Sequence, residues 1–377
     1  MSMHNGIESV DTVVIGGGQA GLAAGYYLAK QGRDFVILDA NERTGDSWRN
    51  RWDSLLLFTP ARFNALPGMR QPFSGGTFIT KDQMADYLER YAEKFRLPVR
   101  HGAKVDRLSK QGDRYVVAVG STKLLANNVI VAMSNYQVPN PPAFASELDE
   151  RIVQLNAKDY RNPGQLREGN VLLVGCGNSG ADIAMDVVSA NPTWLAGEPA
   201  AVVPFRIEPF VARNVLIRIV RFVGHRVLTV RTPIGRRLRP AMLRRATPLI
   251  RVKPKDLVQA GVHRVPRVVG ARDGLPLLED RSVLDVTNVI WTTGFRPGFS
   301  WIDLPIFGDH QEPTHDRGVV TSESGLYFLG LHFLYSMTSD TITGIRRDAK
   351  RIVHELRKRA PQRTANAEPT SREAVAA

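Results

Sequence analysis

The sequence predicts an α/β fold in which one strand–turn–helix unit occurs twice. In each unit an apolar strand runs into three glycines with the spacing G-x-G-x-x-G, and an apolar helix follows. A short strand and an acid close each unit, and the first glycine precedes that acid by 23 positions both times. The glycines are Gly16, Gly18 and Gly21 in the first unit and Gly175, Gly177 and Gly180 in the second, and the acids are Asp39 and Glu198.

Each glycine position has a physical reason. In such units the first glycine makes the tight turn, the second lets a pyrophosphate approach the backbone, and the third lets the helix pack against the strand. The helix N-terminus offers free N–H groups to phosphates, and the acid can accept hydrogen bonds from a ribose. Two complete units predict two Rossmann-like dinucleotide-binding domains. Further cofactor contacts are expected from the neighbours Gln19, Ala20 and Ala40 in the first unit and Asn178 and Ser179 in the second.

The order of the remaining elements predicts that the second domain is inserted into the first. A helix over 80–95 has capping-box spacing at its start, and strands are expected over 115–119 and 128–133. Strands over 285–290 and 326–329 are expected to return to the first sheet, before a closing helix over 341–359. The predicted first domain is 1–165 plus 286–359, the inserted domain is 166–285, and residues 360–377 form a polar, disordered tail.

The net charge of +13 lies in one stretch, residues 206–255, which we call the basic segment. It carries 14 Lys or Arg and one acid, Glu208, so the rest of the chain is neutral. We expect a solvated helical lid, because charge runs usually face water. A groove for an acidic substrate and an interfacial helix on anionic lipid stay open as alternatives. A nucleic-acid partner is not expected.

Composition also limits the compartment and the class of chemistry. Cys176 is the one cysteine, which excludes a Cys-x-x-Cys disulfide reductase and fits a reducing cytoplasm. We find no apolar stretch of about 20 residues and no signal peptide, so a cytoplasmic protein is expected. The polar run from Asp309 to Asp316 has metal-capable side chains but is typical of a surface turn, and no metal site is predicted.

Several further motifs carry a family resemblance. They are the two glycine fingerprints, the loop Gly45-Asp46-Ser47-Trp48-Arg49, the junction Thr292-Thr293-Gly294-Phe295-Arg296-Pro297, and Gly325-Leu-Tyr-Phe-Leu-Gly330. With these in place the chain resembles the class B flavin-dependent monooxygenases from residue 11 to about 356. That group includes flavin-containing monooxygenases, plant YUCCA-type enzymes and related bacterial flavoproteins.

The resemblance implies FAD in the first unit and NADH or NADPH in the second. It implies a flavin C4a-hydroperoxide that transfers one oxygen atom from O₂ to a small organic substrate. N- or S-oxygenation is expected, with oxidative decarboxylation or Baeyer–Villiger-type insertion as alternatives. The predicted cofactor contacts then include Ser47, Trp48, Arg49, Thr293 and Gly294, and Trp48 and His332 are candidates for a catalytic role.

Two departures from the family pattern matter. The family signature F-x-G-x-x-x-H-x-x-x-(Y/F)-(K/R) maps onto 150–161, where Asn156 replaces the histidine in a catalytic position. Glu198 stands where relatives often carry an arginine for the NADPH phosphate, which predicts a preference for NADH. The alternative is that Glu198 faces solvent and that Arg206 or another cation binds the phosphate.

Two other functions stay open from the sequence. The loss of the histidine at Asn156 is compatible with an NAD(P)H oxidase or flavin reductase that releases peroxide. The basic segment is compatible with a non-catalytic redox sensor at a membrane, and homodimerisation is left open as well.

Overall fold

The computed structural model describes residues 7–198, 200–244, 247–308 and 312–359. Its largest sheet has seven strands and holds the first glycine turn, residues 16–21, at the end of its central strand Ile7–Ile15. The first six strands are hydrogen-bonded in the order Val99–Arg100, Phe35–Leu38, Ile7–Ile15, Thr122–Val131, Arg114–Val119 and Arg107–Gln111. The seventh, Leu326–Phe328, pairs in parallel with the end of Thr122–Val131. The sheet is therefore parallel at its centre with an antiparallel extension.

A second sheet of five parallel strands holds the second glycine turn, residues 175–180. Its order is Val153–Asn156, Asn288–Trp291, Val171–Val174, Thr193–Ala196 and His263–Val265. Along the chain these strands come after Thr122–Val131 and before Leu326–Phe328, so the second sheet is inserted between strands of the first.

Two boundary predictions are corrected by this topology. The predicted first domain included Val153–Asn156 and the strand near 285–290, but both belong to the second sheet. Asn288–Trp291 pairs with Val171–Val174 on one side and with Val153–Asn156 on the other. All four residues of Asn288–Trp291 are buried, as expected of an inner strand covered on both faces.

Three short ribbons complete the strands. One joins the two chain crossings between the sheets, because Val138–Pro139 pairs antiparallel with Phe295–Arg296. The others are Leu56–Pro60 with Phe78–Thr80, and Val268–Arg272 with Leu275–Leu278. The proline-rich crossover over residues 134–142 is thus fixed to the returning crossover.

The helices follow the predicted order. The α-helices are Gln19–Lys30, Asp46–Arg49, Lys81–Lys94, Asn178–Val187, Ile217–Phe222, Pro233–Arg244, Pro254–Gln259 and Ile342–Arg357, with π-helical turns at Ala212–Leu216 and Val223–Val227 and 3₁₀ turns at Ala61–Phe63, Ala143–Glu147 and Pro163–Gln165. The predicted capping box is present, since Thr80 and Gln83 exchange hydrogen bonds at the start of Lys81–Lys94. Residues 46–49, expected as an irregular loop, form a short helix instead.

Several predictions concern residues outside this description. The tail predicted over 360–377 and part of the metal-capable run, residues 309–311, lie outside the described residues. In the part of the chain that is described, no helix is long and apolar enough to cross a bilayer.

Candidate cofactor sites

The first glycine turn leaves room and hydrogen-bond donors for a phosphate. Gly16 has φ +107°, and a Cβ at Gly21 would lie 1.9 Å from the Gly16 carbonyl oxygen. At Gly18, by contrast, the nearest atom to an added Cβ is Ser47 Oγ at 3.9 Å. The helix Gln19–Lys30 has no side-chain cap and no acid in its first turn. Its N-terminal N–H groups therefore face a space that fits an anionic group.

Asp39 lies at the adjacent strand end, directly after Phe35–Leu38. The residue is 5% exposed, and its Oδ1 accepts hydrogen bonds from the Asn41 backbone N–H at 3.2 Å and from Asn41 Nδ2 at 2.9 Å. Burial raises the pKa of this carboxyl, while the two bonds from Asn41 oppose that rise. A Cβ at Gly17 would lie 2.5 Å from Asp39 Oδ2, so Gly17 is a requirement that the sequence analysis missed. Ala40 is exposed beside it.

The short helix Asp46–Arg49 brings two predicted residues to the first turn. Trp48 Nε1 donates to Gln19 Oε1 at 3.1 Å, and the exposed Ser47 faces Gly18. Arg49 is used differently. Its guanidinium donates to the Thr44 carbonyl at 2.8 Å and to Asp86 and Glu89 at 3.0 Å each, which ties the loop to Lys81–Lys94. These contacts do not support the predicted cofactor contact through the Arg49 side chain.

The second glycine turn repeats the geometry of the first. Gly175 has φ +117°, and a Cβ at Gly180 would lie 2.0 Å from the Gly175 carbonyl oxygen. The helix Asn178–Val187 begins after Gly177 with no side-chain cap and no acid in its first turn. This N-terminus too fits a phosphate.

Asn178 does not face that space freely. Its Nδ2 donates to the Pro248 carbonyl at 3.0 Å, and its Oδ1 accepts from the Ile250 N–H at 2.9 Å. The side chain holds the end of the basic segment, and the cofactor contact expected at Asn178 stays a prediction. Ser179, its neighbour, is half-buried.

Glu198 lies two residues beyond the strand Thr193–Ala196 and is largely exposed. Its carboxylate is 3.4 Å from Arg267 Nη1, with 79% of the Glu198 side chain accessible. Arg264 donates to the Gly197 carbonyl at 2.8 Å. Two arginines thus lie close to this acid, whereas Arg206 pairs with Asp256.

The junction after Asn288–Trp291 contacts the second turn through a residue that was not predicted. Thr292 Oγ1 lies 2.8 Å from the carbonyl oxygens of both Val174 and Gly175. The predicted pair Thr293 and Gly294 instead binds the first crossover, since Thr293 Oγ1 donates to the Asn140 carbonyl at 2.7 Å and Gly294 accepts from the Asn140 N–H.

His332 takes part in a hydrogen-bond network beyond the strand Leu326–Phe328. Its Nδ1 lies 2.8 Å from Asp340 Oδ2 and its Nε2 lies 3.3 Å from the Met242 carbonyl. Tyr136 donates to the same Asp340 oxygen at 2.9 Å. Burial opposes a charge on the ring, but the hydrogen bond and charge of Asp340 outweigh it, so the pKa of His332 is raised. Because both ring nitrogens face acceptors, the arrangement favours the imidazolium.

Asn156 ends the edge strand of the second sheet. It pairs with Trp291, which in turn pairs with Val174, so it lies at the same sheet edge as the second glycine turn. Its Nδ2 donates to Asp159 Oδ2 at 3.2 Å. Its Oδ1 is buried and has no partner among the residues described.

The basic segment is not a fully solvated lid. Arg221 lies over the Phe63 ring at 4.3 Å, and His225 Nδ1 is 2.8 Å from Thr338 Oγ1. Burial, followed by the charges of Arg347, Arg221 and Arg226, lowers the pKa of His225 to about 4. Because Arg221 and His225 contact other elements, the expected solvated lid is wrong for these two residues.

Comparison with known proteins agrees with this arrangement. A model of the pyridine nucleotide-disulphide oxidoreductase family matches residues 13–194, which include both glycine turns. A protein described as "Uncharacterized oxidoreductase CzcO-like" from Geobacillus kaustophilus (strain HTA426) is 37% identical over 349 residues, covering 92% of this chain and 98% of that protein. The indole-3-pyruvate monooxygenase YUCCA1 of Oryza sativa subsp. japonica is 28% identical over 318 residues, covering 77% of this chain and 78% of that protein.

A solved structure gives the same result in three dimensions. A flavin-containing monooxygenase from Stenotrophomonas maltophilia has a TM-score of 0.73 and 29% sequence identity, covering 93% of this chain and 99% of its own. Disulfide chemistry within the chain, which the family model's description mentions, is excluded because Cys176 is the one cysteine. Sequence, fold and motifs together show that the chain is an oxidoreductase and belongs to the class B flavin-dependent monooxygenase family.

Proposed function

We propose that this protein is an FAD-dependent, NAD(P)H-consuming monooxygenase that uses O₂ to oxygenate a small organic substrate. One observation carries the proposal. In each of the two sheets a parallel strand ends in a glycine turn, and each turn opens onto a helix N-terminus with no side-chain cap. Ligands bind outside the carboxyl ends of strands in such sheets. Two such sites suit two dinucleotides, and we assign the two sheets to an FAD domain and an inserted nicotinamide domain.

In the first domain the chain's own groups would hold FAD. The N–H groups that begin Gln19–Lys30 would bind the pyrophosphate, and Asp39 Oδ2 would accept from a ribose hydroxyl. The Trp48–Gln19 bond fixes the indole next to the turn. The chemistry that FAD supplies when bound is acceptance of a hydride from NAD(P)H and reduction of O₂ for oxygen transfer to the substrate.

We assign His332 a positioning role in this reaction. Asp340 Oδ2 is hydrogen-bonded both to the His332 imidazole and to the Tyr136 hydroxyl. Asn135 Oδ1 accepts a hydrogen bond from the His332 backbone N–H at 2.7 Å. Asn135 and Tyr136 belong to the crossover between the sheets, so the network links the strand end of the first sheet to that crossover. A protonated His332 would place a positive charge at this strand end.

We further propose that NADH is preferred over NADPH. Glu198 follows the strand end that faces the second turn, and its exposed carboxylate can accept from a free ribose hydroxyl but would repel a 2′-phosphate. Arg264 and Arg267 lie beside it and favour the phosphate. The preference therefore depends on the Glu198–Arg267 pair rather than on Glu198 alone.

A second candidate function is an NAD(P)H oxidase that releases hydrogen peroxide. The observation that favours it is Asn156, which stands in the family's histidine position, donates a hydrogen bond to Asp159, and cannot titrate as a histidine does. Rapid mixing of the reduced holoenzyme with O₂ separates the two functions when peroxide and oxygenated product are both measured.

The monooxygenase proposal expects delayed flavin re-oxidation and formation of a sulfoxide from a test thioether such as methyl phenyl sulfide. Prompt re-oxidation with one peroxide per NAD(P)H and no product would support the oxidase instead. The matched variant Asn156→His should release less peroxide per NAD(P)H consumed. An unchanged peroxide yield would show that Asn156 does not cause the peroxide release. A holoenzyme that NAD(P)H cannot reduce would contradict both functions.

A further inference from the structure

The outer face of the basic segment combines exposed apolar side chains with cations that form no ion pair with a described residue. Of the 14 large apolar residues that are exposed in the described chain, eight lie in this segment. Six of them lie on or just before the helical run 212–227, with the exposed fraction of each residue in parentheses: Phe210 (75%), Phe222 (63%), Val211 (60%), Ile219 (53%), Val215 (49%) and Val220 (43%). Solvent-exposed apolar patches of this kind mark interaction surfaces.

The helical run is fixed by its opposite face. Ala212 and Ile217 are 3% and 6% exposed. Near its start, Arg62 Nη2 donates to the Arg213 carbonyl and to Asn214 Oδ1, both at 2.7 Å. Near its end, a Cβ at Gly224 would lie 2.9 Å from Thr338 Cγ2. The apolar outer residues are therefore presented on an anchored helix rather than on a loose flap.

The charge around these side chains is of one sign. Arg218 and Arg226 are exposed on the same run, and the next helix, Pro233–Arg244, adds exposed Arg236 and Arg237. That helix also exposes Ile234 and Leu238, which are four residues apart and so share a face. Among the described residues, the ion pairs of the segment lie at its two ends, Arg206 with Asp256 and Arg251 with Asp182. No acid occurs between Glu208 and Asp256 in the sequence.

We propose that this outer face docks the enzyme on the surface of an anionic phospholipid bilayer. An interfacial helix inserts its apolar side chains at the headgroup boundary while arginines reach the lipid phosphates, which is the arrangement found here. A second copy of this chain is a poor occupant, because a two-fold interface would bring the same cations against each other. The inference does not depend on the proposed function, since it concerns a different surface.

The test is co-sedimentation of the full-length, FAD-loaded protein with phospholipid vesicles. Vesicles with about one-third phosphatidylglycerol should bind at least about tenfold more tightly than pure phosphatidylcholine vesicles, since each arginine near the surface contributes to the attraction. Phe210→Ser with Phe222→Ser should weaken that binding at least about tenfold, because two aromatic side chains that would insert into the bilayer are lost. The flavin spectrum and NAD(P)H oxidation of this variant should stay unchanged.

The matched control is Val258→Ser with Val269→Ser, which removes two other valines that are 65% and 50% exposed. This control should bind as the unaltered protein does. Insertion can be measured directly with Phe222→Cys carrying an environment-sensitive dye, since the one native cysteine, Cys176, is buried. A blue shift on adding anionic vesicles is expected.

Three results would overturn the proposal. Equal binding to both vesicle types would show that anionic lipid is not what the face recognises. If the paired serine substitutions leave binding unchanged and the dye does not shift, the protein binds by electrostatic adsorption alone and its apolar side chains do not insert. A dimer in sedimentation velocity that the paired serines dissociate, without vesicle binding, would assign the face to a second copy of this chain.

Discussion

Gly18 and Gly21 are three residues apart, yet alanine should have different effects at the two positions, on FAD affinity at Gly18 and on stability at Gly21. At Gly18 an added Cβ meets no protein atom closer than 3.9 Å, so the apoprotein should keep its unfolding free energy to within about 0.5 kcal/mol. The methyl group would occupy the space of the pyrophosphate, and FAD affinity should fall at least about tenfold, or 1.4 kcal/mol.

At Gly21 the added Cβ would lie 1.9 Å from the Gly16 carbonyl oxygen. Gly21→Ala should therefore destabilise the apoprotein itself, by roughly 1–3 kcal/mol or more. Denaturant unfolding of the apoproteins and flavin fluorescence titration measure the two effects separately. Normal FAD binding by Gly18→Ala would show that the phosphates do not bind at this turn.

Glu198 provides a second test at the level of one side chain. Replacing its carboxylate by an amide in Glu198→Gln removes the charge that would repel a 2′-phosphate and frees Arg267. We expect the ratio of kcat/KM for NADPH over NADH to rise about tenfold. Steady-state kinetics with both nucleotides measure it, and Glu147→Gln, at another exposed position, is the control. An unaltered protein that favours NADPH tenfold or more would contradict the NADH preference.

The helical run 212–227 gives a prediction for a whole element. His225 anchors it to Thr338, and the pKa of His225 is lowered to about 4. A base whose folded pKa lies below its unfolded value of about 6.5 stabilises the fold fully above that value, and the stability is lost as pH falls toward 4. The whole shift corresponds to about 3.4 kcal/mol at 1.36 kcal/mol per pKa unit. Because solvent screens the half-buried ring, the loss should be smaller, about 1–2 kcal/mol.

Thermal or denaturant unfolding between pH 7 and pH 4 measures this loss. In His225→Gln, whose amide can still bond to Thr338, the slope should be smaller but not zero, because burial also lowers the pKa of His315 to about 4. An unchanged pH dependence in the variant would show that protonation of His225 does not weaken the contact between the helical run and Thr338.

At the scale of the whole molecule, ligand binding should raise the free energy of unfolding and therefore Tm. A ligand that binds only the native state at 100 times its Kd stabilises by about 2.7 kcal/mol, which is several degrees in Tm for a chain of this size. FAD added to the apoprotein should therefore raise Tm, and NAD(P)H should raise it further. Riboflavin, which lacks the pyrophosphate and the adenosine, is the matched control and should give little shift. An equal shift with riboflavin would place the binding energy outside the first glycine turn.

Much of the local structure could be predicted because it depends on neighbours in the chain. The G-x-G-x-x-G spacing determined both turns, since the third glycine must clear the carbonyl of the first only a few residues away. The capping box at Thr80 and Gln83 is a local feature for the same reason. The class of the protein followed from these motifs and from the residues that accompany them.

The tertiary structure decided what depends on contacts between distant segments. Periodicity could not show which sheet would take Asn288–Trp291, because an apolar strand fits either one until its hydrogen-bonded neighbour is known. The side chains of Arg49 and Asn178 are used by segments about 40 and 70 residues away, which no spacing rule indicates.

The sequence by itself determined two glycine turns in one α/β chain and the family to which that chain belongs. Only the tertiary structure decided which acceptors face His332, and that Arg221 and His225 point inward while Phe210 and Phe222 point out. The reason is physical: a turn is specified by steric limits within a few residues, whereas the direction of a helix face is set by whatever surface packs against it.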